Sequence, residues 1–309
     1  MAPAWSISIV FDYTYDSTNF YTPERREVAL AAAASFSSLA IDRPALIPSG
    51  ANTWTWSFTE FVSNETIQIV NPSAAANEIR IFMMAGDPSA NYLGLGGNIG
   101  WFASGTSAWI QSIQATSTTT AYRPFAGQVS INSSFAWHSS LDDNVPHDQF
   151  DLFSVIAHEI GHALGFGLDN IPAWTANLDT INNTFIGSNA TAVFGGPIPL
   201  EADHVHVLAG TQYLGETMIM VPAIPAGTRR HWTAPEIAML ADLGYVVIPE
   251  PGSFSLLAVS LILVFLLCRP GLHLRPIPRR HGTPQLEFPI PAKNLLAPKG
   301  VCRQFSRPI

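Results

Sequence analysis

The sequence predicts an α+β domain over residues 1–247 followed by a membrane-directed tail, and three observations carry that expectation. Strand-like and helical patterns run strand, helix, several strands, then helix, long loop, helix, which is not the regular alternation of an α/β chain. The 309 residues are 47% hydrophobic and 12% charged, enough to bury a sizeable core and too apolar for a wholly disordered chain. The charge is divided: residues 1–250 hold 7 Arg, no Lys and 22 acidic residues, net −15, whereas residues 251–309 hold 8 basic residues against Glu287, net +7. The acidic balance argues against nucleic acid as a partner.

Taken in order, Ser6–Tyr13 alternates Ile7, Ile9 and Phe11 and reads as a strand. Thr22-Pro23 is a helix start, with a hydroxyl at the N-cap and proline in the first turn. Val28, Ala32, Phe36 and Leu39 then fall on one face, so this helix packs on a sheet. Further strands are expected at 53–58, 66–70, 79–84 and 128–132. Gly94-Leu95-Gly96-Gly97-Asn98-Ile99-Gly100 reads as a loop; Ile99 stands where a dinucleotide fingerprint needs its third glycine. Four N-x-S/T sequons, at Asn64, Asn132, Asn182 and Asn189, read as ordinary polar loops.

Residues 148–166 read DQFDLFSVIAHEIGHALGF. On a helix, Phe153, Ile156, Ile160 and Ala163 form an apolar stripe, and His158 and His162 project together from roughly the opposite side. Two imidazoles one turn apart can chelate zinc at ~2.0–2.1 Å. The carboxylate of Glu159 beside them can take a proton from a water that the metal acidifies. Gly165 follows three residues after His162, where the chain can turn out of the helix.

The string from His158 to Phe166 resembles the active-site helix of the metzincin clan of zinc proteases. That resemblance implies a zincin-like domain with a mixed sheet, a third zinc ligand, and a Met-turn beneath the metal. Compact members place His or Asp six residues after the second histidine, but that position is Leu168, and Asp169 is one residue out of register. The leishmanolysin-like branch inserts a long segment before its third histidine, and this chain is similar to it. Its insert runs through Phe194-Gly195-Gly196-Pro197-Ile198-Pro199-Leu200 to Glu201-Ala202-Asp203-His204-Val205-His206. His204 and His206 would share one face of an extended chain. The spacing from Leu200 and the following Val207 favour His206 as third ligand, with His204 the alternative. Met218-Ile219-Met220-Val221-Pro222 resembles the Met-turn, with Met220 packing under the imidazoles. Residues 233–243, with Ile237, Leu240 and Leu243 in helical spacing, are similar to the clan's closing helix. His138, His147 and His231 read as surface or internally satisfied histidines, and Tyr213 as a packing or exposed residue, with polarisation of a substrate carbonyl the alternative.

At the other end, Pro249-Glu250-Pro251-Gly252-Ser253 precedes an apolar run from Phe254 to Cys268, broken only by Ser255 and Ser260, and then Arg269, Arg275, Arg279 and Arg280. Fifteen residues span about 22 Å of helix against a ~30 Å hydrocarbon core. The Pro/Gly isolation, the lack of a polar face and the basic cluster nevertheless predict a transmembrane helix over 254–268. The stretch resembles the PEP-CTERM sorting tail of Gram-negative bacteria, which implies export to the cell surface or matrix, anchoring before processing, and an exosortase-type partner. The tail covers residues 248–280, and 281–309 is a Pro-rich stretch without periodicity, expected to be disordered. Residues after Met1 show neither a charged n-region nor an apolar h-region, so export is an expectation drawn from the tail. Both cysteines, Cys268 and Cys302, lie beyond residue 250, which removes disulfides and cysteine ligands from the main domain.

The expectation for function is a zinc-dependent endopeptidase acting on protein or peptide, with His158, His162 and His206 holding Zn²⁺ and Glu159 as general base. Two others stand beside it: a surface or matrix protein with a non-catalytic zinc site, and a gluzincin-type peptidase with Glu201 as third ligand. The cleft is expected between the N-terminal sheet and the segment after the zinc helix.

Overall fold

The computed structural model describes residues 6–248. The tail, with its apolar run 254–268 and arginine cluster, lies outside them, and no helix among the described residues is long and apolar enough to cross a membrane. The chain forms β1 (Ser8–Asp12), α1 (Pro23–Ala34), β2 (Leu39–Ala40), β3 (Thr53–Thr59), β4 (Thr66–Val70), β5 (Glu78–Gly86), β6 (Gly94–Asn98), β7 (Gly100–Ser104), α2 (Ser107–Gln114) and β8 (Ala126–Asn132). After β8 come α3 (Leu152–Ala163), α4 (Pro172–Thr175), α5 (Ser188–Phe194) and α6 (Ala234–Asp242), joined by loops with short two-residue strands. The architecture is α+β with a mixed sheet, as the element order predicts.

That sheet runs β1-β5-β8-β6. β1 and β8 pair parallel to β5, and β6 pairs antiparallel to β8 as an edge strand. A second, antiparallel sheet runs β4-β3-β7. Strand β5 shows how the layers are assigned. Its side chains alternate faces, so Ile79, Ile81, Met83 and Ala85 join the core against α1 and α3. Phe82 and Met84 join a second core with Trp54, Trp56, Phe58, Trp109 and Phe125. In that second core Phe58 stacks on Phe82 at 4.5 Å and Trp56 on Phe125 at 5.3 Å. Each such buried ring contributes about 1.5–3 kcal/mol by burial, with about 0.5–1.5 kcal/mol more for the ring pair.

Helix α1 starts where Thr22-Pro23 predicts, with Thr22 accepting from the Arg25 N–H. It ends at Ala34, so Phe36 and Leu39 reach the core from the turn beyond it and from β2, not from the helical stripe. The expected glycine loop is corrected: residues 94–98 and 100–104 are strands β6 and β7, joined at Ile99. Glycine is a poor strand former on its own, and packing explains its presence. A Cβ at Gly96 would lie 2.1 Å from the backbone oxygen of Glu159, so only glycine lets β6 run this close to α3.

Candidate metal centre

Helix α3 is capped by Asp151, whose carboxylate accepts the Ser154 N–H at 3.1 Å and the Ser154 hydroxyl at 2.5 Å. The same carboxylate, fully buried, is held by Arg229 through Nε at 3.1 Å and a terminal nitrogen at 2.8 Å. Arg229 also donates to the carbonyls of Ser140 and Leu141, both at 2.7 Å, so one guanidinium ties the loop before α3 to the chain after the metal centre. All twelve residues of α3 are buried. The apolar stripe lies in the core as predicted, but the histidine side is covered too, by β6 and by segments after the helix.

Both helix histidines have their tautomer fixed from behind. His158 Nδ1 lies 2.8 Å from the Ile219 carbonyl oxygen, and His162 Nδ1 lies 2.8 Å from that of Phe166. A carbonyl only accepts, so each Nδ1 carries the proton and each Nε2 offers a lone pair. The two Nε2 atoms stand 3.1 Å apart. Two nitrogens each ~2.0–2.1 Å from a tetrahedral ion are about 3.3 Å apart, so the pair fits such an ion. The bond to Phe166 depends on Gly165, which takes φ +102° after the helix. Gly165 N–H then meets His162 O at 2.9 Å and Phe166 N–H meets Gly161 O at 3.0 Å, a Schellman turn that carries the Phe166 carbonyl back to the ring.

The third histidine arrives after an insertion of α4, a small three-stranded antiparallel sheet (178–179, 184–185, 198–199) and α5. The sheet's last strand leads into an isolated bridge between Leu200 and Val207, which brackets a tight turn. Within it the Glu201 N–H donates to His206 O at 2.9 Å, and Val207 N–H reaches Met220 O at 2.8 Å. The His206 ring centre comes to 5.3 Å from that of His158 and 5.1 Å from that of His162. One ligand atom from each of the three lies within 4.8 Å of the others, and together they can hold a metal ion.

His204 is not brought in. The expectation that His204 and His206 share a face assumed extended chain, but His204 sits at φ +58° and its Nε2 faces Asn183 Oδ1 at 2.8 Å. Glu201 also points elsewhere, accepting the Ala209 N–H at 2.8 Å. Asp169 is exposed. His138, His147 and His231 lie outside the cluster; His138 Nε2 is 3.3 Å from Asp142 O, and His231 packs on Phe153 at 5.2 Å. Met220 is fully buried, and its sulfur lies 2.9 Å from where a Cβ on Gly161 would stand, against the turn of α3 that carries both histidines. Its N–H donates to Glu236 Oε1 at 2.7 Å.

The histidines and Glu159 open onto a cleft of about 460 Å³. Residues 91–96 and residues 221–224 line it, together with Phe135, Phe150 and Val155. This is the predicted position, between the sheet and the chain after the helix. Glu159 is the one carboxylate in the lining, which holds no Lys or Arg; Tyr213 is not part of it. Burial pushes the Glu159 carboxyl up to about 8, partly opposed by the N–H of Gly96. Burial also lowers His158 well below the ordinary histidine value and His162 to about 4, and it lowers His206 as well. All three imidazoles therefore favour the neutral form that metals bind.

Sequence reasoning missed the Asp151–Arg229 pair and the role of Glu236. Asp151 three residues before Ser154 was a readable cap signal, but nothing local announces a partner 78 residues away. Compared with protein-family models and with curated proteins, the chain matches none.

Proposed function

We propose that the chain is a zinc-dependent endopeptidase of metzincin-like, leishmanolysin-related type, acting on protein or peptide. One observation carries the reading: three imidazoles, each able to offer a ring nitrogen to one ion, converge beside a carboxylate in a cleft. An all-nitrogen set of three suits zinc with one position left for chemistry. His158, His162 and His206 would hold it, and when bound it supplies Lewis acidity, polarising a carbonyl and lowering the pKa of water.

Glu159 is the residue that moves protons. A cation nearby favours its ionised form, against the burial that raises its pKa. As carboxylate it accepts the proton of the attacking water, and as acid it returns that proton to the leaving amine. The edge strand β6 has no partner on its outer side among the described residues and borders the cleft, so an extended peptide can lie along it. The mostly apolar lining suits uncharged side chains near the scissile bond.

Glu159→Gln tests the mechanism: zinc should be retained and peptide hydrolysis lost, and undiminished hydrolysis would sink it. Wild-type protein that holds zinc and hydrolyses no protein substrate would instead favour a non-catalytic surface or matrix role. The PEP-CTERM-like tail supports export and anchoring through residues 254–268, with an exosortase-type enzyme as processing partner.

A further inference from the structure

The cleft wall at Val221–Ile224 packs Val221 and Ile224 into the main core, but its backbone has few side-chain partners. On one side it begins at Met220, fixed by Glu236 and by Val207. On the other it ends near Gly227, whose N–H donates to Gln149 O at 2.9 Å. Between these anchors, among the described residues, one side chain bonds to the backbone of 221–226: a terminal nitrogen of Arg230 donates to the Ala223 carbonyl at 3.0 Å. Pro222 and Pro225 have no N–H to offer.

We propose that Arg230, which lies outside the cleft, is a positioning residue for substrate binding: through the Ala223 carbonyl it holds the apolar wall against which a bound peptide's side chains pack. The proposal rests on the peptidase reading. Arg230 lines a separate cavity of about 550 Å³ that shares no residue with the cleft. It reaches Ala223 from a rigid base. Its N–H donates to Ser154 Oγ at 2.7 Å, and Ser154 is in turn bonded to Asp151, the partner of Arg229. Keeping a guanidinium here has a cost, because its Nε is buried without a partner. Such a group calls for a reason, and the bond to Ala223 supplies one. The three histidines do not depend on that bond, since their anchors are Ile219, Phe166 and the turn before Val207.

The test compares Arg230→Met and Arg230→Lys with wild type in the full zinc-loaded chain. The positive charge of Arg230 is felt at His158, so the lysine variant keeps the charge and one donor for Ala223. The readouts are zinc content, kcat and KM on a quenched-fluorescence peptide with apolar side chains, and backbone order parameters by NMR. Arg230→Met should raise KM roughly tenfold with kcat within about twofold, the signature of lost substrate binding. Its zinc should be retained, and order parameters should fall at Val221, Ala223, Ile224 and Ala226 while α3 is unchanged. Arg230→Lys should recover most of the KM. Zinc loss or a fall in kcat alone would overturn the proposal by placing the effect at the metal centre. Unchanged order parameters at 221–226 would overturn it whatever the activity. If the wild type cleaves no peptide but the difference in order parameters appears, the peptidase reading falls and the brace stands.

Discussion

The Nδ1 atom of His158 lies 2.8 Å from the carbonyl oxygen of Ile219, and this contact couples helix α3, with its two candidate ligands, to the turn that carries Met220. The next residue, Met220, accepts from Val207, the neighbour of His206, and donates to Glu236 at the start of α6. Two consecutive residues thus fix one ligand's tautomer, the chain carrying another, and a distant helix. Partners behind the ligands set ring orientation and commonly change metal affinity by about 10–100-fold when removed.

The choice of third ligand is the first test. His206→Ala should lose stoichiometric zinc, measured after dialysis against a weak chelator. His204→Ala should keep it and lose only the contact with Asn183, about 1 kcal/mol of stability. Equal loss of metal in both variants would remove His206 from its assigned role.

Gly165→Ala should damage stability and metal binding together. At φ +102° any side chain is strained, and the added Cβ would sit 2.6 Å from Tyr122 Cδ1. We expect a loss of about 3 kcal/mol in urea denaturation, and zinc affinity weakened about tenfold or more as Phe166 O moves off His162. Gly210→Ala is the control. Its φ is +82°, but nothing lies within 4 Å of the added Cβ, so it should cost only about 1 kcal/mol and leave zinc binding intact.

The elements readable in the sequence are those whose signal is local. The N-cap Thr22-Pro23 gave the start of α1, alternation gave β3, β4 and β5 within a few residues of their ends, and the spacing of His158 and His162 gave the paired ligands. Unreadable elements depend on remote neighbours. β6 is a strand because α3 and β8 lie against it, not because Gly94, Gly96 and Gly97 prefer one. The spacing after Leu200 and the following Val207 favour His206, which does join the other two histidines, but the left-handed residue at 204 that turns His204 away is encoded by no pattern in 201–206.

Asp242 shows the same dependence in the insertion. Helix α5 begins after Gly187, which offers no side-chain cap, and Asp242 on α6 supplies one from 53 residues away. Its carboxylate accepts from Asn189 N–H and Nδ2, both at 2.8 Å, and from Ala190 N–H at 2.9 Å. Asp242→Ala should cost about 2 kcal/mol and speed amide exchange in α5 first. Unaltered exchange there would contradict the assignment of Asp242 as the cap.

Glu236 provides a pH signature that the metal ligands do not share. Its carboxylate is fully buried and accepts from Met220 N–H at 2.7 Å, Thr233 N–H at 2.9 Å and Thr233 Oγ1 at 2.7 Å. Those donors lower its pKa, yet burial outweighs them and raises it to about 7. A carboxyl whose folded value exceeds the unfolded one binds its proton more tightly in the folded state. Its contribution to stability is therefore full below about pH 4.5, declines as pH rises, and is lost above about pH 7. The difference between an unfolded value near 4.5 and a folded value of about 7 corresponds to about 3 kcal/mol. Other ionisable groups contribute to any pH profile of stability, so the quantity to measure is the difference between wild type and Glu236→Gln. Urea denaturation from pH 4 to pH 8 should show the wild type losing about 3 kcal/mol relative to the glutamine variant. Parallel pH profiles for the two proteins would mean that the three hydrogen bonds, not burial, govern this carboxyl.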